Sequence, residues 1–118
     1  MTRVLVVDDD RDLSELVAAQ LKREGFEVSL ADSLLGALQV ASEEDPFDVL
    51  ITDLHLPDAD GDSVAEALGV PIKLALTGSS SAADAQRLLA AGFSEVLIKP
   101  LTGVELVEAL RRSLEAAK

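Results

Sequence analysis

Short runs of apolar, largely β-branched residues alternate along the chain with longer stretches whose apolar positions recur at helical spacing. Arg3–Asp8 reads as a buried strand, and Glu27–Ala31, Val49–Asp53, Ile72–Thr77 and Glu95–Lys99 read as four more. Leu13, Leu16, Val17 and Leu21 follow the first strand as the inward face of a helix, with Gly25 suited to its C′ position. Ser33 is placed to cap a second helix that turns Leu34, Ala37, Leu38 and Ala41 inward. A turn at Pro46 leads into the third strand, and a polar loop, Leu54–Gly61, leaves it. Residues 62–68 allow about two helical turns, with Asp62 and Ser63 as candidate caps. A helix near 82–91 follows a serine-rich cap segment and is closed by Gly92. The last helix opens on Thr102-Gly-Val-Glu105, a capping box, and presents Val104, Val107, Leu110 and Leu114.

Five β-α units in succession, with no linker or repeat, predict one α/β domain over residues 1–118. The strands are nearly continuous in apolar character, so both faces of the sheet must be covered, which implies parallel strands between two helix layers. In doubly wound sheets of this kind the binding crevice lies at the carboxyl ends of the strands, where the winding reverses.

Charge narrows the function classes. The 118 residues carry 22 Asp and Glu against 10 Lys and Arg, a formal charge of −12. No Lys or Arg stands between Arg23 and Lys73, and residues 24–72 hold 12 acidic side chains, so this stretch carries the whole excess. No basic stripe is present to neutralise phosphates or meet an anionic bilayer, which argues against nucleic-acid binding and against membrane docking. Cysteine is absent, which excludes disulfides and zinc-thiolate sites. The apolar runs are short of a membrane span and the N-terminus shows no secretion signal, so a cytoplasmic location is expected.

The strand ends carry the chemistry. The first ends in Asp8-Asp9-Asp10, the third in Asp53, the fourth in Thr77 and the fifth in Lys99-Pro100. If the first and third strands are neighbours, Asp8, Asp9 and Asp53 meet, and their like charges need a counter-charge. A hard divalent cation such as Mg²⁺ or Mn²⁺ would serve, and so would the Lys99 ammonium. With both present, a carboxylate could attack a phosphoryl group, while Lys99 and the Thr77 hydroxyl contact its oxygens. Each residue also has a plainer reading. The Asp triplet could be a helix start, Asp53 a turn residue, Thr77 part of a flexible loop, and Lys99 an exposed strand end. Four strand ends that all place site-type residues on one rim favour the joint, functional reading.

Val4-Leu-Val-Val-Asp8-Asp9-Asp10, Val49-Leu-Ile-Thr-Asp53-Leu-His-Leu-Pro57-Asp-Ala-Asp-Gly61, Leu76-Thr77-Gly78 and Lys99-Pro100 together resemble the receiver domain of two-component response regulators, over essentially the whole chain. The resemblance implies a flavodoxin-like three-layer sandwich with strand order 2-1-3-4-5. It also implies that Asp53 is the phosphoacceptor, supplied by the phosphohistidine of a sensor histidine kinase or histidine phosphotransfer protein. Asp8 and Asp9 would hold Mg²⁺ with Asp53, with Asp9 the more direct ligand of the pair, and the backbone carbonyl of His55 would be a further ligand. Thr77 and Lys99 would contact the phosphoryl oxygens, and the Lys99–Pro100 bond would be cis. The domain would then switch between inactive and active states, as a phosphotransfer substrate with slow self-hydrolysis more than an enzyme.

Three departures from the family pattern stand out. Val96 occupies the position where an aromatic rotameric switch often sits, and its short branched side chain cannot swing in the same way. The third helix is short. His55 and Ser79 occupy variable positions beside the site; His55, the one histidine, reads as an exposed loop residue. Two other readings compete with the phosphoacceptor: a Mg²⁺-dependent phosphohydrolase with an aspartyl nucleophile, and a receiver-like interaction module without switching. The hydrolase would want a second Asp two residues after Asp53, where His55 stands. Arg87, Arg111 and Arg112 with Asp84, Glu105 and Glu108 could form a charged homodimer patch or simply solvated helix faces. The downstream effector is unspecified. The Met1 start suggests a natural N-terminus, whereas an end at the fifth helix suits either a stand-alone regulator or a piece of a longer protein.

Overall fold

The structure is a computed structural model and describes residues 1–78 and 82–117. Ser79 and the expected serine cap of the fourth helix lie outside the described residues. The elements alternate as expected: β1 Arg3–Val7, α1 Arg11–Arg23, β2 Glu27–Ala31, α2 Leu34–Glu43, β3 Val49–Asp53, α3 Gly61–Leu68, β4 Ile72–Thr77, α4 Ala82–Ala90, β5 Glu95–Ile98 and α5 Gly103–Ala116. The five strands pair in parallel in the order β2-β1-β3-β4-β5.

Strand pleating divides the core in two. Val4 and Val6 of β1, with Ile51, Leu74 and Leu76, pack against Val17 and Leu21 of α1 and Leu106 and Leu110 of α5. Leu5 and Val7, with Leu50 and Ala75, pack against Ala37 of α2, Val64 of α3 and Leu88 of α4. Continuous burial of β1 and β3 follows from their central position and two covered faces. The outer strands differ. In β2, Glu27 and Leu30 are exposed, and in β5, Ile98 is exposed, because each has a strand neighbour on one side alone.

Three expected core positions face solvent: Leu16 is 70% exposed, Leu38 40% and Val104 59%. In α1 the inward stripe is Ser14, Val17, Ala18 and Leu21, flanked by Leu13, which rotates Leu16 outward. Ala37 is the fully buried residue of α2, with Leu34 and Val40 partly buried against the same core, and Leu38 lies one residue past Ala37. In α5, Leu106 takes the place expected for Val104.

The helix starts follow short-range chemistry. Asp10 caps α1 by accepting from Leu13 N–H, Ser33 caps α2, and Thr102 and Glu105 form the reciprocal box on α5. The cap of α3 is Asp60, which accepts from Ser63 N–H at 2.8 Å, rather than Asp62 or Ser63. The helix therefore begins at Gly61 and has eight residues, close to the two turns expected. Gly25 closes α1 with φ of 94°, a backbone region that disfavours side chains. Asp8 and Lys99, expected as strand ends, lie one residue past β1 and β5, yet each continues the ladder by one bond: Asp8 N–H to Ala31 O at 3.1 Å, and Lys99 N–H to Thr77 O at 2.7 Å.

Leu50→Ala removes a wholly buried side chain between central strands and should cost about 2–5 kcal/mol of unfolding free energy. Leu16→Ala should change it by no more than about 0.5 kcal/mol. Urea titrations of the two variants check both expectations.

Candidate functional site

Register brings the acidic residues together. Val7 of β1 and Thr52 of β3 are direct partners, so Asp8 and Asp53, the next residues, stand side by side at the carboxyl end of the sheet. Asp53 is also level with Leu76 of β4, which sets Thr77 just beyond it, and Thr77 is level with Ile98, the residue before Lys99. All the strand-end candidates therefore share one rim.

The carboxylates of Asp8, Asp9 and Asp53 each offer an oxygen, and these oxygens lie within 4.8 Å of one another. Asp8 is buried and Asp53 nearly so, whereas Asp9 is exposed. The Lys99 ammonium reaches both inner carboxylates, at 2.7 Å from Asp8 Oδ2 and 3.2 Å from Asp53 Oδ2. Partial burial works against the Lys99 charge, but the bonds and attraction from Asp8 and Asp53 outweigh it and raise its pKa above the usual 10.5. Backbone amides hold the other carboxylate oxygens: Asp10 N–H donates to Asp8 Oδ1 at 2.9 Å, and His55 N–H to Asp53 Oδ1 at 3.2 Å. Thr77 is buried at the end of β4.

The donor set is all oxygen, compact and strongly anionic, the kind that suits a hard cation such as Mg²⁺. His55 itself is exposed. It forms a one-residue bridge with Asp60, closed by Leu56 N–H to Ala59 O and Gly61 N–H to Leu54 O, which leaves the His55 carbonyl out of the pairing. The loop turns so tightly that a Cβ on Gly61 would lie 2.6 Å from the Asp53 carbonyl oxygen. The Lys99–Pro100 peptide is cis.

Several contributors were not singled out from the sequence. Thr52, fully buried, donates its hydroxyl to the Asp53 carbonyl at 2.9 Å. Ser14, on the buried face of α1, donates to the Asp8 carbonyl at 3.4 Å. Asp60 reads in the sequence only as part of an acidic loop, although its spacing to Ser63 is an N-cap signal. The Ser63 hydroxyl and amide hold the Asp60 carboxyl below its usual range. Arg87 pairs with Asp62 of α3 beside a cleft of about 290 Å³ lined by Leu54, His55, Asp60 and Thr77. Arg111 pairs with Glu24 and Arg112 with Glu95, so the three arginines of the candidate charged patch each engage a carboxylate of their own chain. Val96, at the expected switch position, packs half-buried over the core beneath α4.

Residues 4–111 match the family profile described as response regulator receiver domain. The chain is 39% identical over 117 residues to the transcriptional regulatory protein PrrA of Mycobacterium leprae, covering 95% of this chain and 49% of that protein. It is 35% identical over 116 residues to the DNA-binding response regulator MtrA of Mycolicibacterium paratuberculosis, covering 95% and 51%. The chain thus spans about half the length of the curated relatives it matches. Among solved structures, the chemotaxis response regulator CheY4 of Vibrio cholerae superposes with a TM-score of 0.86 at 29% identity, covering 96% of this chain and 98% of that one. None of the described helices is long and apolar enough to cross a membrane.

Lys99→Met leaves the buried Asp8 carboxylate without its cation and should cost about 2–4 kcal/mol at neutral pH in the presence of a chelator. Because the folded-state pKa of Lys99 is raised, its contribution is complete below about pH 10.5 and is lost as pH rises through the folded-state value. The stability gap between wild type and variant, from denaturant titrations at several pH values, should therefore hold across neutrality and close in strong alkali.

Proposed function

Since the chain belongs to the response regulator receiver domain family, a family of phosphoacceptors in two-component signalling, we propose that Asp53 is its phosphoacceptor and that residues 1–118 form one receiver domain. The observation that carries this reading is the convergence of three carboxylates with the Lys99 ammonium on one rim, with Asp53 nearly buried between its neighbours. The donor is the phosphohistidine of a sensor histidine kinase or a histidine phosphotransfer protein in the cytoplasm.

A carboxylate oxygen of Asp53 forms the new O–P bond as the P–N bond of the donor breaks, and the leaving imidazole takes up a proton. Bound Mg²⁺ would neutralise charge on the phosphoryl oxygens. Asp8 and Asp9 would hold that cation together with Asp53 and the His55 carbonyl. Lys99 transfers its ammonium from the Asp53 carboxylate to a phosphoryl oxygen, and the Thr77 hydroxyl donates to another. These contacts to the phosphoryl oxygens exist only while the phosphoryl group is present, which biases the domain toward a second state. No second carboxylate stands two residues past Asp53, where His55 is, to protonate the leaving oxygen of a phosphate ester, which favours a phosphorylated signal over a hydrolase. The effector that reads the signal lies in another part of the protein or in another molecule.

A small phosphodonor with Mg²⁺ should add one phosphoryl group per chain, seen by intact-mass measurement, and Asp53→Asn should add none. A wild type that binds Mg²⁺ yet gains no mass would sink the proposal, and steady multiple turnover of a phosphate ester would favour the hydrolase.

A further inference from the structure

The first turn of α2 is held from a distance. Ser33 accepts from Gly36 N–H at 3.0 Å, but the amides of Leu34 and Leu35 have no acceptor within the helix. Asp58, 24 and 23 residues further along, supplies both: its Oδ1 accepts from Leu34 N–H at 2.8 Å and its Oδ2 from Leu35 N–H at 3.0 Å. These two amides hold the Asp58 carboxyl below its usual range, so it is ionised at neutral pH.

Asp58 sits near the tip of the loop that leaves Asp53. The base of this loop is closed by Gly61 N–H to Leu54 O, its middle by Leu56 N–H to Ala59 O, and its far end by the Asp60 cap of α3. The Asp58 bonds add the remaining anchor, from the tip to α2. His55 lies between the base and that anchor.

We propose that Asp58 is a positioning residue that clamps the loop after β3 onto the first turn of α2, and so holds the His55 carbonyl ready for the divalent cation. The inference rests on the metal-dependent phosphoacceptor reading above. A loop ordered during folding costs nothing further to order when the cation arrives, whereas a loose one does. Coupling of this kind is reciprocal, so cation binding also tightens the first turn of α2, far from any cation ligand in sequence. The position of α2 thereby becomes an input to the phosphorylation site.

Two measurements on the full chain test this: Mg²⁺ affinity by calorimetry, and amide exchange at Leu34, Leu35 and Gly36 with and without Mg²⁺. Asp58→Ala should weaken Mg²⁺ binding about three- to tenfold, at or below the lower end of what groups orienting a metal ligand contribute, because Asp58 acts on a backbone ligand through the loop. Asp58→Asn, which keeps one oxygen acceptor, should fall between it and wild type. Ser33→Ala removes the local cap of the same helix but leaves the tether, and should keep Mg²⁺ affinity within about twofold of wild type. In the wild type, a measurement that needs no variant, Mg²⁺ should slow exchange at Leu34 and Leu35. Equal affinities for Asp58→Ala and wild type, an equal loss in Ser33→Ala, or exchange at α2 indifferent to Mg²⁺ would each overturn the inference while leaving the phosphoacceptor reading intact. A wild type that binds no Mg²⁺ overturns both.

Discussion

One ammonium between two carboxylates is the interaction on which the rest of the site depends. Parallel pairing of β1 with β3 forces Asp8 and Asp53 to leave the sheet side by side, and Asp9 adds a third carboxylate to the group. Three like charges in so small a volume oppose folding unless a cation joins them. Lys99 supplies that cation from the far end of the chain, 91 residues after Asp8. The same residue would be needed by a phosphoryl group, so it contributes to stability in one state and to recognition in the other. A site assembled this way is poised because its counter-charge can be shared between two anions.

The sheet turns a charge problem into a geometry. Asp8 and Lys99 lie one residue beyond their strands, and each still makes one more ladder bond, which fixes their backbones while their side chains stay at the rim. Thr52 and Ser14 bond the carbonyls of Asp53 and Asp8 from within the core. The loop after Asp53 is held as firmly, by the close approach at Gly61, the Asp60 cap and the bonds from Asp58 to α2. Rigid backbone beneath mobile charge is the arrangement that transfer of a small, highly charged group requires.

The acidic middle of the chain, residues 24–72, borders the site only in part. The fold places much of it elsewhere. Glu27 begins β2 and Asp48 precedes β3, at the amino ends of the strands and opposite the rim. Glu27 and Glu44 pair with Arg3, Glu24 with Arg111, and Asp62 with Arg87. Each of those arginines comes from outside the stretch that lacks them. The rim keeps Asp53, Asp58 and Asp60, and two of these are occupied in holding helix amides. Folding therefore pairs part of the one-sided charge, through contacts between segments distant in sequence.

The order of the elements, their parallel pairing and the identity of the rim residues were legible in the sequence, because periodicity and strand ends are local signals. The α3 cap was missed by two residues, since Asp60, Asp62 and Ser63 all suit the role and backbone geometry alone chooses among them. Leu16, Leu38 and Val104 were misplaced because apolar identity does not say which side of a helix meets the sheet. By itself the sequence determined the fold class, the acidic set with its lysine, and the caps of α2 and α5. The tertiary structure alone decided which cation meets which carboxylate, that Thr52 and Ser14 support the site, and that Asp58 reaches α2. Propensity and periodicity act over a few residues, whereas charge pairing and amide capping act through space, and only the folded sheet brings those partners within a few ångströms.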